Sequence, residues 1–142
     1  RGNIPSVLFW HFTDQFYHTD NDRIDKVSKS TLKNVGTAAL ISGLELINAD
    51  ETTAKKALNS IEKAAVNRLN EELKQGKRAI DKGETINSQI EVINAWEDWY
   101  VKAIATVTDM VSNQELITAE IETTKNTVKG VAKGIKEVIS KK

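Results

Sequence analysis

From Ala54 to Ile80 the apolar positions recur every three or four residues. Ala54, Leu58, Ile61, Ala65, Leu69, Leu73, Gly76 and Ile80 hold a period near 3.6 for eight turns, the signature of one amphipathic helix face. The pattern predicts a helix over about 51–82, with Asp50 as its cap and Gly83 ending it. Thr85 is placed to cap the next helix, about 86–111. Its stripe is Ile86, Ile90, Ile93, Tyr100, Ile104, Val107 and Val111, broadened by Trp96 and Met110.

Ser112 and Glu115 match a capping box, so a further helix is expected over about 113–140. Ile117, Ile121, Thr124, Val128, Val131, Ile135 and Val138 alternate spacings of four and three, a seven-residue repeat suited to shallow-angle helix packing.

Upstream, Thr19-Asp20-Asn21-Asp22 is a polar break, and a helix over about 21–48 is expected after it. From Gly36 to Ile47 that segment is apolar nearly all round, which predicts that other elements surround it. Gly36, Ala39 and Gly43 form a small-residue strip that would admit a close neighbour. A short helix over about 6–18 begins near Pro5, with Phe9, Phe12 and Phe16 on one face.

These elements predict an all-α protein. A single domain, 1–142, would hold an up-down bundle of four long antiparallel amphipathic helices with the short N-terminal aromatic helix docked on it. A monomer or a dimer with exchanged helices satisfies the same pattern. No strand signal and no internal repeat is legible.

Composition narrows the function. Twenty basic and twenty acidic side chains balance, unlike the basic excess of a nucleic-acid binder. The longest uncharged apolar run, Val35 to Leu44, is half of a membrane span. That run and a mean hydropathy of −0.40 predict a soluble rather than a transmembrane chain. With no cysteine, disulfides, thiolate catalysis and Cys-ligated metals are excluded. The chain opens on Arg1 rather than on a methionine. The reading favoured here is an extracellular, secreted mature chain, the other being a domain of a longer protein.

Little chemistry is available for catalysis. His11 and His18 share a face with Asp14, but two turns separate them, about 10 Å. That is too far for one ion, and the ordinary reading is a solvated face. Glu97 and Asp98 lie between tryptophans, where a carboxyl in an apolar pocket would be pushed up; the ordinary reading is again an outer face. No phosphate loop and no Glu-x-x-His pair is present. No cofactor, no metal and no enzymatic activity are expected.

Two features remain. All eight aromatic residues fall in two clusters, Phe9, Trp10, Phe12, Phe16 and Tyr17, then Trp96, Trp99 and Tyr100. Of these, Phe9, Trp10, Phe12, Phe16, Trp96, Trp99 and Tyr100 are candidate ligand-binding residues; as core, the clusters would pack on each other. Residues 125–142 hold six lysines and one acid. Lys125, Lys129, Lys133 and Lys136 lie on one side of the last helix, opposite its apolar stripe, and are a candidate membrane or partner surface.

The expectation is a non-enzymatic, secreted helical bundle that binds a small hydrophobic ligand or a lipid surface. The alternative is a protein-interaction module, either a secreted antagonist or the extracellular sensing bundle of a receptor.

Overall fold

The computed structural model describes Leu8, Phe9 and residues 15–141. The protein is all-α, with no strand among the described residues. Four helices account for most of it: α1 (Lys29–Ile47), α2 (Glu51–Asp81), α3 (Ile86–Ala105) and α4 (Glu115–Ile139). The chain divides into two compact units, Arg1–Ile47 and Asn48–Lys142, each taken by itself.

In the first unit, the expected helix over 6–18 lies partly outside the described residues. Leu8 and Phe9 are irregular and residues 15–21 form turns. His18 occupies the left-handed region, φ 61°, within a turn closed by the Thr19 N–H donating to Phe16 O at 2.9 Å. Polar side chains compete with helix formation here. Thr19 Oγ1 donates to Phe16 O, and Arg23 Nε donates to Asp20 O.

α1 therefore starts later than the polar break implies. A 3-10 turn, Ile24–Lys26, comes first, and Val27 is extended, φ −72° and ψ 121°. The cap is Ser28, whose Oγ accepts the Thr31 N–H at 3.3 Å.

The second unit is a three-helix bundle. Asp50 caps α2 by accepting the Thr53 N–H at 2.7 Å. Gly83 has φ +99°, the left-handed conformation that ends a helix at little cost only for glycine. Thr85 Oγ1 then accepts the Ser88 N–H at 3.1 Å and starts α3. α3 tightens at Ala105 into a 3-10 turn, Thr106–Met110. Thr106 and Thr108 there donate their hydroxyls back to Ala103 O and Ala105 O.

The Ser112 capping box does not form. Gln114 occupies the cap position of α4 without a side-chain bond, and Asn113 Oδ1 accepts the Glu115 N–H instead, at 3.1 Å. Val111 is extended, so the capping duty falls one residue past Ser112.

Direction follows from contacts. Gly76 of α2 lies against Gln89 of α3, and the earlier Arg68 lies against the later Trp96, so α2 and α3 are antiparallel. Lys55 pairs with Glu120 and Gly76 meets Ile139, so α2 and α4 run parallel. α3 is the return stroke between them.

The buried positions of α4 are Ile117, Ile121, Thr124, Val128, Ala132, Ile135 and Ile139. They depart from the seven-residue repeat in the last two turns: Val131 is only half-buried and Val138 is 43% exposed. A straight helix drifts by about 20° per heptad against a strict seven-residue stripe. By the C-terminus Ala132 and Ile139 have replaced Val131 and Val138. Ile117, Val128 and Ile139 are instead spaced by eleven, and so are Ala54, Ala65 and Gly76 on α2. The two parallel helices share a stride of about 3.67 residues per turn, so their faces stay in contact along their length.

Candidate functional site

Trp96, Trp99 and Tyr100 sit at i, i+3 and i+4 on α3 and touch one another. Ring centroids are 6.1 Å apart for Trp96–Trp99, 6.0 Å for Trp96–Tyr100 and 4.7 Å for Trp99–Tyr100. Their surroundings differ. Tyr100 is buried in the bundle core. Trp96 is half-buried, and the Arg68 guanidinium lies over its ring at 4.1 Å from the centroid, a favourable cation–π arrangement. Trp99 turns outward and is 56% exposed. Within this unit the cluster is two rings of packing and one exposed indole.

In the N-terminal cluster, Phe9 is exposed and Phe16 half-buried, with the Lys26 ammonium 5.4 Å from the Phe16 centroid. Trp10 and Phe12 lie outside the described residues, and the expected packing of the two clusters rests partly on them. Tyr17 stacks edge-on against His18 at 4.0 Å.

The lysines of α4 separate into two kinds. Lys125 Nζ donates to Glu122 at 2.7 Å, which holds the Glu122 carboxyl below its ordinary value. Lys136 Nζ donates to Glu97 Oε2 at 2.8 Å and to Asn94 Oδ1 at 2.9 Å, both on α3. Lys129 and Lys133 are exposed. Of the four expected to face a membrane or partner, Lys136 is turned inward as a helix-to-helix tie.

That tie also settles the carboxylates between the tryptophans. Glu97 takes Lys136, and Asp98 accepts from Lys102 at 2.6 Å. Both are engaged by ammonium groups. Among the described residues no three His, Asp or Glu side chains converge as a metal site; His11 and Asp14 are not among them.

α1 is where the structure departs most from the sequence pattern. Its apolar residues were expected to be enclosed, yet none is buried. Leu32 and Leu40 are each more than 60% exposed, Ile47 is 81% exposed, and Ile41 is over half exposed. A Cβ added at Gly36 or Gly43 would meet nothing within 4 Å. What sets α1 apart in the sequence is the stretch from Asn34 to Leu44, which carries no charge. Among the described residues no helix is long and apolar enough to cross a membrane. Comparison with known protein families, with curated proteins and with solved structures finds no match.

Proposed function

We propose that the protein is a non-enzymatic helical binder of a lipid surface or hydrophobic ligand, and that α1 makes the contact. The observation carrying this reading is the exposure of Leu32, Leu40, Ile41 and Ile47 on a helix with no buried residue. A helix with this many exposed large apolar side chains and no buried one is a candidate interaction element. At about 25 cal/mol per Å² of apolar area removed from water, covering it is strongly favourable. In the second unit, taken by itself, the exposed Lys129 and Lys133 favour anionic headgroups, near which each lysine contributes about 1 kcal/mol.

Co-sedimentation with vesicles of phosphatidylcholine, with and without phosphatidylserine, tests the reading. The protein is expected to pellet with vesicles, and Leu40→Lys with Ile41→Lys to abolish this without lowering the melting temperature. A wild-type protein that stays in the supernatant, and carries no lipid through native purification, overturns it.

A second reading, a protein-interaction module, is favoured by Trp99. An exposed indole packed against Trp96 and Tyr100 has the composition of an interface hot spot. Pull-down with Trp99→Ala as control separates the two, since lipid binding through α1 does not use that ring.

A further inference from the structure

Leu116, Thr123, Thr127, Gly130, Gly134 and Val138 share one side of α4. At 3.6 residues per turn they fall within about a third of the helix circumference, over about 33 Å of its length. All six are exposed, Leu116 to 49% and Val138 to 43%. The rotation that takes Val138 out of the core puts it at one end of this outer face, with Leu116 at the other.

The polar atoms of the face are already partnered. Thr123 Oγ1 donates to Ala119 O at 2.8 Å, and Thr127 Oγ1 donates to Thr123 O at 3.1 Å. Covering them strands no hydroxyl proton. A Cβ added at Gly130 or Gly134 would meet nothing within 4 Å. Neither glycine makes room for anything within this unit, although glycine is the least favourable residue but proline in a helix interior.

Charge indicates what covers the face. Lys133 is exposed and makes no ion pair among the described residues. Glu122 is 57% exposed and meets Lys125 through Oε1 alone. Both stand on the same flank of the face. If a second copy of α4 runs antiparallel with the two-fold axis at Thr127, positions equidistant from 127 come together. Leu116 then meets the second copy's Val138. Glu122 lies one position from the second copy's Lys133, on the flank that this symmetry joins, and the contact is made twice. A parallel pair joins opposite flanks and gives Lys133 no acid. Glu120 and Glu137 border the face. Lys55 of α2 engages Glu120, and Glu137 comes opposite the first turn of the second copy's α4, where the helix dipole favours an anion.

We propose that this face of α4 is the interface of an antiparallel homodimer, flanked by two Glu122–Lys133 pairs. The dimer goes beyond the reading of α1 as a lipid contact and does not rest on it.

Sedimentation equilibrium of the full chain should show a mass rising with concentration from 15.8 kDa to twice that. Gly130→Leu with Gly134→Leu should keep it monomeric. At concentrations where the wild type is also monomeric, that variant should melt no lower, since both positions are open. Lys133→Glu should weaken the dimer about tenfold, and E122K/K133E should restore it, because the exchange reinstates both pairs. The chain has no cysteine, so single reporters are clean. Thr127→Cys, at the axis, should cross-link under mild oxidation faster than Thr118→Cys, which is exposed on another side of the same helix. L40K/I41K should leave the dimer intact. A mass of 15.8 kDa at every concentration overturns the proposal. So does a dimer that survives the glycine substitutions, that stays weak in E122K/K133E, or that cross-links equally at both cysteines. A dimer dissolved by L40K/I41K also overturns it, since the interface would then lie on α1.

Discussion

Lys136 on α4 donates to Glu97 on α3 at 2.8 Å, with the lysine 28% and the glutamate 22% exposed. The pair is sheltered enough to escape most solvent screening, and Asn94 completes the ammonium's contacts. Lys136→Ala is expected to cost about 1–2 kcal/mol, within the range of charge-assisted hydrogen bonds. Urea unfolding would show it as a lower midpoint at unchanged slope. Vesicle binding should not change. Lys129→Ala should behave oppositely, leaving stability alone and weakening attachment to anionic vesicles.

Gly76 is buried near the C-terminal end of α2, and a Cβ there would meet Gln89 Oε1 and Ile139 Cδ1 at 3.5 Å, ordinary contact distances. The helix is continuous through it. Gly76→Ala is expected to stabilise the protein by about 0.5–1 kcal/mol. Calorimetry reads this as a higher melting temperature.

Thr85 accepts the Ser88 N–H and opens α3. Thr85→Ala should cost about 1 kcal/mol, and Thr85→Asp less than half of that. Amide exchange should quicken first at residues 86–89.

Acid should loosen the bundle through identifiable carboxyls. The Thr53 N–H, then its hydroxyl, hold Asp50 below its ordinary value of 3.8. Lys55 holds Glu120 below 4.5, and Gln75 and Lys74 do the same for Glu71. A lowered folded pKa gives stability that is complete above the unfolded value and lost as pH falls through the folded one. Stability should therefore decline below about pH 4.5. Lys55 is raised from 10.5, chiefly by Glu120 and then by Glu51, so its contribution is complete below that pH and lost above it. Glu120→Gln should flatten both limbs of a melting-temperature profile. A profile identical to wild type would remove the Lys55–Glu120 pair from the explanation.

The parts of this fold legible in the sequence are those fixed by local chemistry. Asp50, Gly83 and Thr85 act within a turn of themselves, and each does what its type and position imply. What was not legible depends on partners distant in sequence. Lys136 looks like its neighbours Lys129 and Lys133 until Glu97, 39 positions away, draws it inward. Val131 and Val138 satisfy a seven-residue repeat on paper, and a straight helix rotates them out of the core. Ser112 failed for a subtler reason. Two polar residues that can cap stand side by side, and the extended backbone at Val111 favours the second. Of the candidate site, Trp99 could be placed on a helix, but which of three adjacent rings would face outward required the position of Arg68. The exposure of α1 contradicts the usual inference from an apolar circumference, and composition alone does not foresee it.

The parallel alignment of α2 and α4 has a kinetic consequence. α2 and α3 are joined by four residues at Gly83, so that hairpin closes with little loss of chain entropy. Lys55 and Glu120 are 65 positions apart, and joining them closes a far longer loop. The hairpin should form early and present a surface onto which α4 condenses. Variants near Gly83 should then slow refolding, whereas variants of Lys55 or Ile117 should mainly hasten unfolding.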